Sequence, residues 1–533
     1  MHDEFSHLRS ERPVRRRGRK KGLLIGAGVL VPVLAAAGVV YLLRTPGSAE
    51  ETAADYLAAW GRRDYAAMRA LTVEPPKDFD SVHERVRTGL KLSGASFETG
   101  ASASGDDATV VRFEAKLTGP VEWSYEGSLR LVEHERTWRV RWTPESIHPD
   151  LRANRTLKLV TEKPTTAAIT AADGTRIDTP ATPGSVQQLV EGLKETYAAR
   201  LTGGASSRVN LLEGDLLIKT MAREGATEGK PLETTIDLRV HQAGAAALDQ
   251  VSKPASLVAL RPSTGEILAA VNKPGGFNRA LLGSYPPGST FKVVTASALV
   301  ADGVKPGQTV TCPAEQNIGG FPFHNAGFHD YGTLPFRDAF AHSCNTTFGA
   351  MGVAELSGGR LGEVAASFGF GAPIMPGVPA VRAQYPDPKD DTDLASASIG
   401  QGRVLASPLN MAAVAAAISD GTWRPPRLVA ADLVPAGGSK PRELEANVVR
   451  ALRTLMPAVV TDGTAHAVSF PQGTAGKTGT AEYGSGKEPP AHSWFIGYRG
   501  DLAFAVIVEG GGAGSAVAAP VAARFLAGLA ADR

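Results

Sequence analysis

Residues 285–292 have the sequence Tyr-Pro-Pro-Gly-Ser-Thr-Phe-Lys, and an apolar run over 293–300 follows them. A Pro-Pro-Gly turn before helix-compatible residues predicts a loop that ends at a helix N-terminus, with Ser289 in the first helical turn. Lys292 lies three residues later on the same helix face, so its amine can reach the Ser289 hydroxyl and take its proton. The unpaired N–H groups of the first turn also favour negative charge on a nearby oxygen. The stretch therefore predicts a nucleophile together with its base.

A Ser-x-x-Lys pair is weak evidence by itself, because a chain of this length is expected to contain about one by chance. Two further motifs follow it in order, Ser343-Cys344-Asn345 and Lys477-Thr478-Gly479-Thr480. Three such motifs in this order are the signature of penicillin-binding proteins and class A β-lactamases. The chain resembles a class B penicillin-binding protein, the monofunctional D,D-transpeptidase that cross-links peptidoglycan.

The resemblance, together with the chemistry of each side chain, implies a role for each residue of the first two motifs. Ser289 would attack the carbonyl of the penultimate D-Ala of a stem peptide, release the terminal D-Ala and form an acyl-enzyme. Lys292 would be the base, which requires a lowered pKa. Ser343 would relay the proton to the departing amine, and Asn345 would hold the amide of the substrate.

The third motif is expected on an edge strand that binds the substrate. The charge of Lys477 and the hydroxyls of Thr478 and Thr480 would receive the terminal carboxylate, and Gly479 would let the substrate backbone approach. Lys477 is also the neighbouring cation that would lower the pKa of Lys292. By resemblance, the backbone N–H groups of Ser289 and Thr480 form the oxyanion hole. An amine of a neighbouring stem would then attack the ester and complete the cross-link.

We expect neither a cofactor nor a metal. Three histidines that attract notice, His324, His329 and His342, lack a metal-binding spacing with carboxylates, so they are interpreted as loop or core residues. His492, Trp494 and the Ser-Ile-Gly-Gln-Gly sequence at 398–402 are interpreted as structural support near the site.

The N-terminal residues predict attachment to a membrane. Residues 1–21 contain eight Lys or Arg and three Asp or Glu, and 48 basic and 51 acidic residues remain in the rest of the chain. The uncharged stretch 23–43 has the length of a single bilayer span. The basic segment 1–22 is then a cytoplasmic tail, and everything after residue 44 lies outside. A cleaved signal peptide is the alternative, because Ala35 to Ala37 supply small residues. The basic cluster is too short to indicate nucleic-acid binding.

At 533 residues the chain is too long for one core, so a multidomain α+β protein is expected. Residues 48–150 combine helical stripes with alternating stretches at 111–117, 121–125 and 138–142, and they resemble the NTF2-like N-terminal domain of MecA-type proteins. Residues 151–232 are predicted as a linker or dimerisation-like subdomain, with a helix over 186–201. Residues 233–533 are predicted as the penicillin-binding, β-lactamase-like transpeptidase domain, an antiparallel sheet covered by helices. Two hairpins are expected in it, over 256–271 and 492–508, and a final helix from about 517 to 529.

The two cysteines, Cys312 and Cys344, either form a disulfide or are two buried thiols. The resemblance implies peptidoglycan stem peptides and β-lactam antibiotics as ligands. It also implies a membrane glycosyltransferase, or a component of the division or elongation machinery, as a partner. Two alternatives stay open: a D,D-carboxypeptidase or β-lactamase-like hydrolase that uses water as acceptor, and a β-lactam sensor of the same fold.

Overall fold

The computed structural model describes residues 46–225, 227–484 and 489–531. They form two compact units. The first contains the described residues up to 163 together with 205–225, and the second contains 164–204 together with 227–531. The segment 151–232 is therefore divided between the two units, and its existence as a separate subdomain stays a prediction.

The first unit opens with three helices and continues as an antiparallel sheet of four sequential strands. Ser48 caps the first helix, because its hydroxyl accepts a hydrogen bond from Glu51 N at 3.1 Å while Glu51 Oε2 accepts one from Ser48 N at 3.1 Å. The elements are α1 Ala49–Gly61, α2 Tyr65–Ala70, α3 Phe79–Gly89, β1 Gly94–Ser104, β2 Thr109–Thr118, β3 Trp123–His134 and β4 Thr137–Val140.

The alternation found in the sequence corresponds to strands of this sheet. Val111, Phe113, Ala115 and Leu117 of β2 are buried, and the polar residues between them are exposed. The sequence did not reveal β1 or α3. The edge strand β1 has no buried residue and so lacks an apolar alternation, and α3 buries only Phe79 and His83.

Residues 155–233 contribute helices and strands to both units. The antiparallel sheet of β5, β7 and β8 belongs to the first unit, and the remaining elements belong to the second. In chain order they are β5 Arg155–Glu162, β6 Ile169–Thr170, α4 Gly184–Thr196, α5 Ala198–Leu201, β7 Ser206–Glu213, β8 Leu216–Gly225 and β9 Leu232–Glu233. The predicted helix over 186–201 is thus present as α4 followed by the short α5.

The second unit is built on a five-stranded antiparallel sheet. Its first part contains α6 Leu238–Asp249, β10 Ala255–Arg261, β11 Glu266–Lys273, α7 Arg279–Leu282, α8 Lys292–Ala301, β12 Thr309–Cys312, β13 Glu315–Ile318, β14 Phe321–His324, β15 Gly332–Pro335 and α9 Phe336–Ala341. The rest contains α10 Asn345–Glu355, α11 Gly358–Ser367, α12 Asp391–Ser398, α13 Pro408–Asp420, β16 Thr422–Trp423, β17 Arg442–Glu443, α14 Ala446–Thr461, β18 Ala475–Glu482, β19 Ala491–Tyr498, β20 Ala503–Val508 and α15 Ala518–Ala531.

The strand order of this sheet is β11-β10-β20-β19-β18, which places β18 at an edge. The two predicted hairpins are present as β10–β11 and β19–β20, and the predicted final helix is α15. Helices α6, α13 and α15 pack against the sheet. Every residue of β20 is buried, because helices cover the sheet and leave this central strand no solvent-facing side.

The serine loop, residues 285–291, is tied to three other parts of the second unit. Tyr285 exchanges backbone hydrogen bonds with Ala406, at 3.0 and 2.9 Å. Gly288 N donates to Gly400 O at 2.9 Å, and Trp494 Nε1 donates to Pro286 O at 3.1 Å. The loop ends in one 3₁₀ turn, Gly288–Phe291, which leads directly into α8.

The disulfide that the sequence left open is formed, between Cys312 at the end of β12 and Cys344 just before α10. It attaches the segment with the second motif to a neighbouring strand. No helix among the described residues is long and apolar enough to cross a membrane. The predicted span 23–43 lies outside those residues.

Gly479 on β18 is constrained by the serine loop. A Cβ atom on Gly479 would lie 2.8 Å from Thr290 Cγ2 and 3.0 Å from Pro287 O. Both distances are shorter than ordinary van der Waals contacts, and the second atom is backbone, which moves only if the loop moves. The absence of a side chain at 479 therefore allows the loop to pack on the strand.

We predict that Gly479→Ala lowers the free energy of unfolding by about 1–3 kcal/mol, the usual cost of overpacking. Calorimetry of the full chain measures it. Gly307→Ala is the matched control, because a Cβ there meets no atom within 4 Å and its φ is not positive. An equal effect of both substitutions would show that the contact with the serine loop is not what requires glycine.

Candidate active site

The three motifs converge on one cleft in the second unit, with a volume of about 480 Å³. Ser289 lies in the 3₁₀ turn at the start of α8, the Ser343-Cys344-Asn345 segment joins α9 to α10, and Lys477 to Thr480 lie in β18. Among the predicted site residues, Ser289, Ser343, Asn345, Thr478, Gly479 and Thr480 all line the cleft. Lys292 and Lys477 lie beneath its surface, each 0% exposed.

The Lys292 amine contacts three polar atoms of the second motif. Its Nζ donates to Ser343 O at 2.6 Å and to Asn345 Oδ1 at 2.6 Å, and it lies 3.3 Å from Ser343 Oγ. Burial, and secondarily the charge of Lys477, holds the pKa of Lys292 well below its usual range. A neutral amine has two N–H groups and one lone pair. With two carbonyl oxygens as acceptors, the lone pair of neutral Lys292 remains available to accept a proton.

The expected hydrogen bond between Ser289 and Lys292 is not formed. Within the described ranges, the Ser289 hydroxyl makes no hydrogen bond, and the Lys292 amine is instead directed to the second motif. The reason is that residues three apart on a helix share a face but do not necessarily have their side-chain tips in contact. The tertiary contact with two carbonyl oxygens decides where the amine lies.

Ser343 connects the two buried lysines. Lys477 Nζ lies 2.8 Å from Ser343 Oγ, on the hydroxyl that Lys292 approaches at 3.3 Å. A hydroxyl accepts one hydrogen bond while donating another, so Ser343 can pass a proton between two amines. Its backbone has φ +61°, a region that non-glycine residues seldom adopt. The Ser343 N–H bond to Phe340 O, at 3.1 Å, and the adjacent disulfide hold this conformation.

Lys477 carries the second large pKa shift of the site. Burial lowers its pKa from 10.5 to about 7. Its Nζ also donates to Thr478 O at 3.1 Å and lies 5.6 Å from the centre of the Phe340 ring. Near neutral pH, Lys477 is therefore charged in some molecules and neutral in others.

Hydrogen bonds hold both the backbone and the side chain of Asn345. One of the partners, Asn325, lies outside the three motifs. Asn345 Nδ2 donates to His324 O at 2.9 Å, and Asn345 N donates to Asn325 Oδ1 at 2.8 Å. The buried Asn325 also donates from its Nδ2 to Pro313 O and His329 O. No sequence motif marks Asn325, because its side-chain partners come from three separate segments, 312–313, 329 and 345–346.

The β18 side of the cleft has its own polar contacts. The Thr478 and Thr464 hydroxyls are 2.6 Å apart, and Thr480 Oγ1 accepts a hydrogen bond from Gly514 N at 3.2 Å. Gln401 Nε2 donates to Thr480 O at 3.3 Å. The 398–402 segment, predicted as structural support, is thus in contact with both the serine loop and β18.

The histidines that were interpreted as loop or core residues divide into two groups. His324 and His342 line the cleft, whereas His329 is not among its lining residues. No group of three His, Cys, Asp or Glu residues suited to a metal ion occurs in the part of the chain that the structure describes.

Comparison with known proteins identifies two families of domains in this chain. The penicillin-binding protein transpeptidase domain matches residues 255–527, and the NTF2-like N-terminal transpeptidase domain matches 48–155. The peptidoglycan D,D-transpeptidase PbpA of Mycobacterium tuberculosis is 32% identical over 358 residues, which is 55% of this chain and 71% of PbpA.

Two solved structures share the fold. The D,D-transpeptidase domain of a peptidoglycan glycosyltransferase from Eggerthella lenta has a TM-score of 0.58 at 25% identity, covering 70% of this chain and 99% of that one. Penicillin-binding protein A of M. tuberculosis, solved as a ceftriaxone acyl-enzyme complex, has a TM-score of 0.51 at 30% identity, covering 57% of this chain and 81% of that one. The chain therefore belongs to the class B penicillin-binding proteins and is a peptidoglycan D,D-transpeptidase, a serine-type acyl transferase with an NTF2-like N-terminal domain.

Proposed function

We propose that Ser289 is the nucleophile of this transpeptidase and that Lys292 is its base. The observation that carries the proposal is the buried arrangement of Lys292, Ser343 and Lys477. Ser343 Oγ lies 3.3 Å from Lys292 Nζ and 2.8 Å from Lys477 Nζ. Neutral Lys292 takes the proton of the Ser289 hydroxyl as Oγ attacks the carbonyl carbon of the penultimate D-Ala. The backbone N–H groups of Ser289 and Thr480 stabilise the oxygen that becomes negative.

The tetrahedral adduct then breaks its C–N bond to the terminal D-Ala. The proton held by Lys292 passes through the Ser343 hydroxyl to the departing nitrogen, which leaves as an amine. Ser289 is now an ester of the donor stem. The amine of a second stem attacks that ester and gives up one proton to neutral Lys292. An amide forms as the C–O bond to Ser289 breaks, and Lys292 returns that proton to the departing Ser289 oxygen.

Substrate recognition is assigned to the remaining groups. Asn345 holds an amide of the donor. Lys477, in its charged form, binds the terminal carboxylate with the hydroxyls of Thr478 and Thr480. Gly479 contributes by its lack of a side chain, which keeps the serine loop against β18.

The first experiment treats the full chain and its Ser289→Ala variant with a labelled β-lactam, followed by mass spectrometry of the peptides. We expect one stable adduct on the peptide that contains Ser289 and none in the variant. Rapid loss of the adduct would favour the hydrolase instead. An adduct that is stable while a thioester donor and an amine acceptor yield no cross-linked product would favour the sensor. An adduct that persists in Ser289→Ala would refute the assignment of the nucleophile.

The lowered pKa of Lys477 predicts how the acylation rate of a ligand with a carboxylate changes with pH. Below about pH 7 Lys477 is protonated and pairs with a carboxylate, and above it the charge is lost. We expect the ratio of acylation rate constants, β-lactam carboxylate over its methyl ester, to fall as pH rises through about 7. Because both compounds require the same base, the ratio removes the pH dependence that Lys292 contributes to each rate constant. In Lys477→Arg, which stays charged, the ratio should be flat, and a flat ratio in the wild type would contradict the assignment.

We also propose that residues 23–43 anchor the protein in the cell membrane as a single span, with residues 1–22 in the cytoplasm and the catalytic unit outside. The support is the length of the uncharged stretch and its basic flank. The disulfide is consistent with an oxidising compartment. Protease added to intact cells should degrade the catalytic unit. Protection of that unit, or recovery in the soluble fraction, would contradict the proposal.

Partners follow from family resemblance and are proposed on that ground only. A membrane glycosyltransferase would supply the glycan strands whose stems this enzyme joins, within either the division or the elongation machinery.

A further inference from the structure

Thr464 lies in the active-site cleft, although it belongs to none of the three motifs. It follows the C-terminal end of α14 and lines the cleft together with Ser289 and Thr478. Its hydroxyl oxygen lies 2.6 Å from that of Thr478, a normal distance for a strong hydrogen bond between two hydroxyls. Thr464 thus contacts a residue that the proposed function assigns to the carboxylate of the substrate.

Contacts with α9 fix the backbone on either side of Thr464. Thr464 N donates a hydrogen bond to the carbonyl oxygen of Ala341, the last residue of α9, at 3.0 Å. A Cβ on Gly463 would overlap the same oxygen, so this close approach requires a residue without a side chain. Asp462 also forms an ion pair with Arg337 of α9. Because α9 leads directly into the second motif, Thr464 is held in register with that motif while its hydroxyl contacts the third.

The direction of the hydrogen bond between the two hydroxyls follows from what Thr478 has to bind. A carboxylate is only an acceptor, so the Thr478 hydroxyl contributes to its binding only when the single hydrogen points to the ligand. The Thr478 oxygen can then only accept from Thr464, which becomes the donor. In the reverse direction, the lone pairs of Thr478 would face the negative charge. A bound carboxylate therefore requires Thr464 to donate to Thr478.

A donor to the oxygen of Thr478 has two effects on the hydrogen bond that Thr478 makes. It restricts the rotation of the Thr478 hydroxyl, because one lone pair is already engaged. It also polarises that hydroxyl, since hydrogen bonds that form a chain strengthen one another. Thr478 is only 5% exposed, so little water competes for its oxygen. Both effects favour a ligand that accepts a hydrogen bond with a full negative charge over one that carries none.

We propose that Thr464 is a positioning residue for carboxylate recognition, which donates to the Thr478 hydroxyl and directs the hydrogen of that hydroxyl to the terminal carboxylate. This inference rests on the proposed function, which assigns the carboxylate to Lys477, Thr478 and Thr480. Thr464 acts through Thr478 and takes no part in proton transfer. The alternative is a hydroxyl pair that only stabilises the packing of α14 against β18, which would affect all ligands equally.

The test compares a β-lactam with its methyl ester on the full chain, at about pH 6, where Lys477 is charged. The measured quantity is the ratio of the acylation rate constants, carboxylate over ester. In Thr464→Val, which keeps the shape of the side chain and removes its hydroxyl, we expect the ratio to fall about fivefold, the usual contribution of one hydrogen bond. In Thr464→Ser, which keeps the hydroxyl, the ratio should stay at its wild-type value.

A double-mutant cycle shows whether Thr464 acts through Thr478. Thr478→Val removes the hydroxyl that Thr464 directs, and it should lower the ratio by itself. Adding Thr464→Val to Thr478→Val should then have no further effect, because the effects of two residues that act as one unit do not add. A further fall of the ratio in the double variant would show that Thr464 binds the carboxylate directly, and it would overturn the positioning role.

Thr454→Val is the matched control, because it makes the same chemical change at an exposed position of α14, and it should preserve the ratio. Calorimetry of every variant separates a loss of recognition from a loss of structure. An unchanged ratio in Thr464→Val, including one in which both rate constants fall by the same factor, would overturn this inference and leave the proposed function standing. A wild-type protein without any preference for the carboxylate would instead overturn the proposed carboxylate site, and this inference with it.

Discussion

The burial of two lysines on either side of one serine hydroxyl is the constraint on which this active site depends. An ammonium ion without solvent is costly, so burial drives both lysines toward their neutral forms. For Lys292 the two carbonyl oxygens of Ser343 and Asn345 take the N–H groups of the neutral amine and leave its lone pair free. In the proposed mechanism, this neutral amine is the base that activates the Ser289 hydroxyl. That mechanism depends on the exclusion of water from both lysines more than on any single contact.

Keeping these groups in position requires close backbone packing, and glycines make it possible. Gly288 has φ +54°, and a Cβ on it would lie 2.5 Å from Thr480 O. A Cβ on Gly400, whose φ is +73°, would overlap Gly288 O. With Gly479, these residues allow the serine loop, the 398–402 segment and β18 to meet almost backbone to backbone. The second motif is fixed differently, by the disulfide and by the hydrogen bonds of Asn325.

Local pattern predicted the elements that have a strong apolar signature. The buried hairpins β10–β11 and β19–β20, the final helix α15 and the alternating strand β2 all follow from periodicity. Elements without that signature were missed, as the exposed edge strand β1 and the largely polar helix α3 show. The division of 151–232 between two units also has no local signal. The chain leaves the first unit after residue 163 and returns at 205, and only long-range packing determines where each segment belongs.

The order and chemistry of three short motifs were enough to identify the family and name every group of the proposed mechanism, because reactivity resides in side-chain types that the sequence states directly. The tertiary structure alone decided which of those groups touch. It directed Lys292 to Ser343 and Asn345 in place of Ser289, joined Cys312 to Cys344, and brought Asn325, Gln401 and Thr464 to the site. The physical reason is that the distances between side-chain tips and the shift of a buried pKa both depend on packing between distant segments. Spacing along the chain contains no information on either.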